Sequence, residues 1–378
     1  MAQKDSVLVY AAGDVYTDRP DPASIFSNVT QLLQKADMAF CQLESPLSHT
    51  TVPTAPSTKG AYDPNLVASS IKQAGFNIVS FASNHCMEDG EESFLETIDT
   101  LKAEGCHVIG CGRNENEART PAIIERGGNR IAFLAYNSVG IPECWVKENK
   151  PGCAPLRART LYEPMEPHQP GTPVRMHTFP YREDVNSMIK DVKNAKSQAD
   201  VVVVSMHCGI HLTPSVVADY QVDIAHAAVD AGADLILQHH AHILKGIEVY
   251  GGKAIFYGLG NFAIEVHFMT KEWAEIPDVK KLRRALNPDW HPPYPDYPSF
   301  PFPPDSRKAF LTKFLVSDGA ISKVSFIPAI INQQSQPEIV KPNDERFQQV
   351  IDYVSSISRE EGFTPKFKID GEEVLIVT

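Results

Sequence analysis

The chain has 378 residues, 43% of them hydrophobic and 22% charged, with a formal net charge of −12. This length and composition allow a large core, exclude global disorder and suit one large α/β domain carrying an insertion. The acidic balance argues against nucleic-acid and membrane partners and leaves a small-molecule or peptide substrate.

The first apolar run, Val7 to Ala12, is too short for a secretion-signal core or a membrane span, so a cytoplasmic protein is expected. It opens a series of short runs rich in Val, Ile and Phe that read as buried strands: SVLVYAA (6–12), MAFCQL (38–43), NIVSFAS (77–83), HVIGCG (107–112), RIAFLAY (130–136), VVVVSMH (201–207) and LILQHH (235–240). Helical patterns lie between them. Residues 64–75 carry Pro near the start and Gly at the end, and residues 90–105, 181–199 and 215–233 follow similar plans. This alternation predicts an α/β fold with partly parallel sheets.

Past Phe262 the texture changes. PDWHPPYPDYPSFPFPP (288–304) is too rich in proline for regular helix or central strand, and its aromatics suit a lid or pocket wall. Residues 308–331 read as a hairpin turning near Asp318–Gly319, and a last helix is expected over 344–361. The expected organisation is a core over 1–268, an insertion or lid over 269–306, and a hairpin and helix over 307–378 that complete the same domain. The seven cysteines are odd in number and form no C-x-x-C, so reduced thiols are expected.

The ends of the strands carry the chemistry. Asp14 follows the first, Glu44 the second, Asn84 and His85 the third, His207 a later one, and His239, His240 and His242 the next. Ligands of α/β sheets bind beyond strand carboxyl ends, so these residues are expected to converge. Carboxylate, amide oxygen and imidazole suit a divalent ion such as Mn, Fe or Zn. His240 and His242, two apart on a segment taken as extended, are expected to face the same way. Gly258, Gly260 and Asn261 in GLGNF are expected to form a tight turn under the site. Tyr16, Arg19, His211 and Asn261 are candidate substrate contacts.

GD (13–14), LESPLS (43–48), SNHCMEDG (83–90), HVIGCG (107–112), HCG (207–209) and the block 231–262 together resemble the capsule-synthesis CapA (poly-γ-glutamate) family, a branch of the calcineurin-like metallophosphoesterase superfamily. The resemblance implies a four-layer α/β/β/α sandwich. It places Asp14, Glu44 and His242 at one metal position, and Glu44, Asn84, His207 and His240 at a second. His85 takes the part of general acid, with Asp14 and His207 as further catalytic groups. The activity implied is hydrolysis of a phosphoester or amide by a divalent-metal-activated water. The same Asp/His cluster could instead serve a metal-independent isomerase, epimerase or lyase, or the scaffold could belong to a non-catalytic assembly protein. Three departures stand out. Asp14-Val15-Tyr16 replaces the usual Asp-x-His, so at most one tightly held ion is expected. HCGIH puts Cys208 and His211 where the family has Trp and Glu, and Gln42 replaces an Asn.

Overall fold

The structure, a computed structural model, describes residues 5–50, 60, 62–267, 269 and 271–378. Phe268, at the expected boundary between core and insertion, lies outside the described residues.

Two sheets form the body. In the first, the strands Val7–Tyr16, Met38–Leu43, Ile78–Ser80 and His107–Ile109 run parallel in that order. The hairpin Lys308–Ser317/Ala320–Ile331 extends this sheet antiparallel from the far side of Val7–Tyr16. In the second sheet, Asn129–Asn137, Val201–His207, Leu235–His239 and Lys253–Phe256 are parallel neighbours.

Alternation along single strands shows how the layers stack. Val201 and Val203 join the core shared with the first sheet, whereas Val202, Val204 and Met206 join a second core with Met188, Val192, Ile224 and Ala228. Those four belong to the helices Arg182–Gln198 and Asp219–Ala231, which therefore cover the outer face of the second sheet. Val67 and Ile71 of helix Pro64–Ala74, with Phe94, Ile98 and Leu101 of helix Gly90–Ala103, pack on the first sheet. The order is helix, sheet, sheet, helix, the four-layer arrangement the motifs imply. A strand with both faces covered must be apolar throughout, which is why these runs are nearly unbroken in the sequence.

Some expectations change. The 107–112 run splits at Gly110, whose φ of 77° ends one strand at Ile109 and starts a short one at Cys111–Gly112. An antiparallel ribbon, Ala158–Pro164 with Val174–Pro180, carries no apolar period because most of its side chains are exposed. The 269–306 segment contains the helices Lys271–Glu275 and Pro277–Leu286 ahead of its proline-rich stretch. Trp290, Phe300 and Phe302 from that stretch form a third core with Tyr16, Leu212, Ile264 and Val266. All seven cysteines are free and buried. Among the described residues, no helix is long and apolar enough to cross a membrane.

Candidate active site

Because the parallel strands of each sheet point one way, their carboxyl ends share one edge of the sandwich. Asp14 lies within the last turn of pairing of Val7–Tyr16, where the register to both parallel neighbours shifts. Gly13 beside it has no room for a side chain: a Cβ there would sit 2.1 Å from the carbonyl of Gly260. That close approach lets the Asp14 amide donate to the same carbonyl at 2.9 Å. Glu44 follows Met38–Leu43, Asn84 and His85 follow Ile78–Ser80, and His207 and His239 are the last residues of their strands.

Six of the strand-end residues meet across the two sheets. Asp14 Oδ2 lies 3.1 Å from His242 Nδ1, and Glu44 Oε1 lies 3.4 Å from His207 Nδ1. Asn84 Oδ1 faces two rings, His207 Nε2 at 2.7 Å and His240 Nδ1 at 3.2 Å. His211 packs on His240 with ring centroids 3.9 Å apart and approaches His242 at 5.3 Å. His240 and His242 are not on an extended segment. Their φ values of 86° and 53° put both in the left-handed region, with centroids 6.3 Å apart. Such a conformation is costly for a residue with a Cβ and is held here by its surroundings.

The electrostatics are those of a buried, anion-rich floor. Burial alone would raise Asp14, yet the facing His239 and His242 outweigh it and hold the carboxyl below the usual carboxylate range. Burial, and then the Asp14 charge, push Glu44 well above that range. Burial drives His207 and His240 well below the usual imidazole value and His211 down to about 3, so these rings are neutral near pH 7. Among the described residues, none donates a hydrogen bond to any of the four carboxylate oxygens of Asp14 and Glu44. Buried carboxyl groups without hydrogen-bond partners are costly, and a cation is the partner that this donor set calls for. The donor chemistry therefore fits a divalent ion. Among the described residues, no three His, Cys, Asp or Glu side chains are yet gathered closely enough to ligate one.

His85 sits to one side. Its Nδ1 lies 2.6 Å from Glu88 Oε1, and the Asn84 amide Nδ2 reaches its Nε2 at 3.0 Å. Above the floor lies a cavity of about 140 Å³. Glu44, His85, His211 and His242 line its base; Tyr16, Leu212, Ile264, Val266, Met269, Trp290 and Phe302 line its walls. The proline-rich stretch thus supplies wall to the pocket over the cluster.

Two candidate substrate contacts are occupied elsewhere. Arg19 donates to Glu265 from Nε and Nη2, each at 2.8 Å, and from Nη2 to the Gln334 carbonyl. Asn261 is fully buried; its Oδ1 lies 2.8 Å from His242 Nδ1, and its Nδ2 donates to the His242 carbonyl. It orients a cluster member. Tyr16 and His211 do line the cavity.

His239, expected at this strand edge, and two residues outside the expected set, Glu88 and Asn137, belong to this neighbourhood. His239 Nδ1 is 3.3 Å from Asp14 Oδ1, and its ring packs against Phe40. Glu88 anchors His85. Asn137, at the end of its strand, donates from Nδ2 to the Ser83 carbonyl and so steadies the loop that carries Asn84. His239 and Asn137 both follow apolar runs, the same signal that marks Asp14 and His207.

The bacterial capsule synthesis protein family PGA_cap matches residues 8–265. The chain is 27% identical over 253 residues to the PGA biosynthesis protein CapA of Bacillus subtilis, covering 66% of this chain and 59% of that protein. It is 29% identical over 197 residues to the capsule biosynthesis protein CapA of Bacillus anthracis, covering 52% of this chain and 42% of that one. The chain thus spans less than two thirds of the length of these relatives. Among solved structures, the calcineurin-like phosphoesterase YfkN from Bacillus subtilis aligns over 95% of this chain and 99% of its own, at 14% identity and a TM-score of 0.41. With the match over residues 8–265 taking in well over half of its length, the chain belongs to the bacterial capsule synthesis protein family PGA_cap.

Proposed function

We propose that the chain is a divalent-metal-dependent hydrolase of a phosphoester or amide bond. One observation carries the reading: two buried carboxylates, Asp14 and Glu44, have no hydrogen-bond donor and lie against the rings of His207, His239 and His242. Glu44, Asn84, His207 and His240 would hold the tighter ion. Asp14, Glu44 and His242 would hold a second position, one donor short because Tyr16 stands where a histidine is usual. A bound Mn, Fe or Zn ion supplies Lewis acidity to the bond under attack.

The chain's own residues do the rest. His85 faces the cavity, and Glu88 fixes its ring. Protonation at Nε2 breaks the contact from the Asn84 amide and presents a proton to the leaving group. Tyr16, Leu212 and Phe302 keep water off the far side of the cavity. The test is calorimetric titration of the full chain with Mn²⁺ and Zn²⁺, coupled to hydrolysis of simple phosphodiesters and N-acyl amides. One ion bound per chain together with ion-dependent hydrolysis is expected. A chain that binds no divalent ion overturns the reading.

A second reading has its own observation. His85, in its dyad with Glu88, and the neutral His211 line the same small cavity. A base and an acid facing one substrate suit removal and return of a proton next to a carbonyl, as in an epimerase or lyase. Deuterium wash-in from solvent after chelator treatment selects this reading over the first.

A further inference from the structure

Taking the Asp14/Glu44/histidine cluster as the reacting centre, we infer that the substrate presents one uncharged apolar group of about single-ring size beside the reacting bond.

The cavity over the cluster has about 140 Å³ of space, and none of its lining residues is Lys or Arg. A dry cavity of about 150 Å³ lined by Leu, Ile and Phe takes up benzene. This one matches in size and in the apolar character of its walls, while its base carries the reacting groups.

The walls are already built. Trp290 Nε1 donates to the Pro301 carbonyl at 2.7 Å, and the Trp290 amide donates to Asn287 at 3.1 Å. Asn287 in turn donates from Nδ2 to the Leu212 carbonyl at 2.8 Å, which ties the proline-rich segment to the loop after Val201–His207. The Phe302 ring packs 5.3 Å from His242, so the apolar wall and the polar floor are in direct contact. Preformed apolar walls give affinity without the cost of ordering them on binding.

Nearby cations are not available to substrate carboxylates. The Arg19 guanidinium is held by Glu265, and Lys245 Nζ donates to the carbonyls of Thr213 and Val216. A side-chain carboxylate entering the apolar part of the cavity would lose its water and find no Lys or Arg among the lining residues, an unfavourable exchange.

The test uses the full chain and four probes: the N-acetyl amides of glycine, leucine, phenylalanine and glutamate, titrated by calorimetry and by tryptophan fluorescence. The leucine and phenylalanine amides are expected to bind about tenfold tighter than the glycine amide or more, as burial of such a side chain predicts. The glutamate amide is expected to bind no better than the glycine amide. Val266→Trp, which narrows the cavity, should abolish the preference. Met269→Trp at the rim is the second variant should Val266→Trp fail to fold. Equal binding of all four amides, or a preference that survives in a folded cavity-narrowing variant, overturns the inference. Hydrolysis is measured separately with divalent ion. An apolar binding preference without hydrolysis supports the pocket inference and removes the hydrolase reading. Hydrolysis with no apolar preference does the reverse.

Discussion

Among the described residues, Lys245 is the one fully buried lysine. It lies just past the histidine block and donates to the carbonyls of Thr213 and Val216, holding the loop that begins with His211 and Leu212. Burial pushes its amine from 10.5 down to about 7, against the pull of the Glu361 carboxylate. Between those two values the unfolded chain binds a proton that the folded chain does not. Stability therefore rises with pH across that window: the contribution is complete above 10.5 and is lost as pH falls to 7. The slope approaches ~1.4 kcal/mol per pH unit, and because the folded amine is half protonated at pH 7 the change between pH 7 and pH 9 is about 2.3 kcal/mol. Lys245→Met removes the titrating group. It also leaves the Thr213 and Val216 carbonyls without their donor, a penalty that does not vary with pH. Cysteines and tyrosines titrate alike in both proteins and cancel in the difference. Urea unfolding of wild type and Lys245→Met at pH 7, 8 and 9 should show the stability difference growing in favour of wild type by about 2.3 kcal/mol. Parallel curves would refute the reasoning, because they would mean that the two carbonyls and Glu361 keep the folded amine protonated.

Four further outcomes follow from the same structure. His85→Asn should lower turnover on a true substrate by about 10²–10⁴-fold with bound ion unchanged, and Glu88→Gln should lower it less, both read by steady-state kinetics and metal analysis. His240→Ala should lose the tighter ion and activity together, because it removes one of the two rings facing Asn84 Oδ1, as titration calorimetry would show. Arg19→Met strands the buried Glu265 carboxylate and should cost about 3 kcal/mol in urea unfolding, with much of it recovered in Arg19→Met/Glu265→Gln. Gly13→Ala forces a Cβ against the Gly260 carbonyl and should lower the melting temperature and disturb the Asp14 position, visible as weakened ion binding.

The layered fold and the strand-end positions of Asp14, Glu44, Asn84, His207 and the histidine block were legible in the chain itself. Strands covered on both faces are written as apolar runs, and the residue that ends such a run lies at the sheet edge whatever the rest of the chain does. The helices Pro64–Ala74 and Asp219–Ala231 were equally legible, each ending at a glycine in the left-handed region. The ribbon Ala158–Pro164/Val174–Pro180 was not, because strands exposed on both faces need no pattern.

Only the tertiary structure decided which partner each polar side chain takes. Arg19 and Glu265 are 246 residues apart, and Asn84 and His240 are 156 apart. No local period couples such positions, so Arg19 and Asn261 looked like substrate contacts while the fold engages one with Glu265 and the other with His242. His239 was expected at the shared strand edge, but that it faces Asp14 in particular came only from the fold. The left-handed turns at His240 and His242 likewise come from packing, since the residues themselves disfavour that conformation. What the motifs place at one edge, long-range packing turns into a floor of acids and imidazoles beneath a ring-sized apolar cavity.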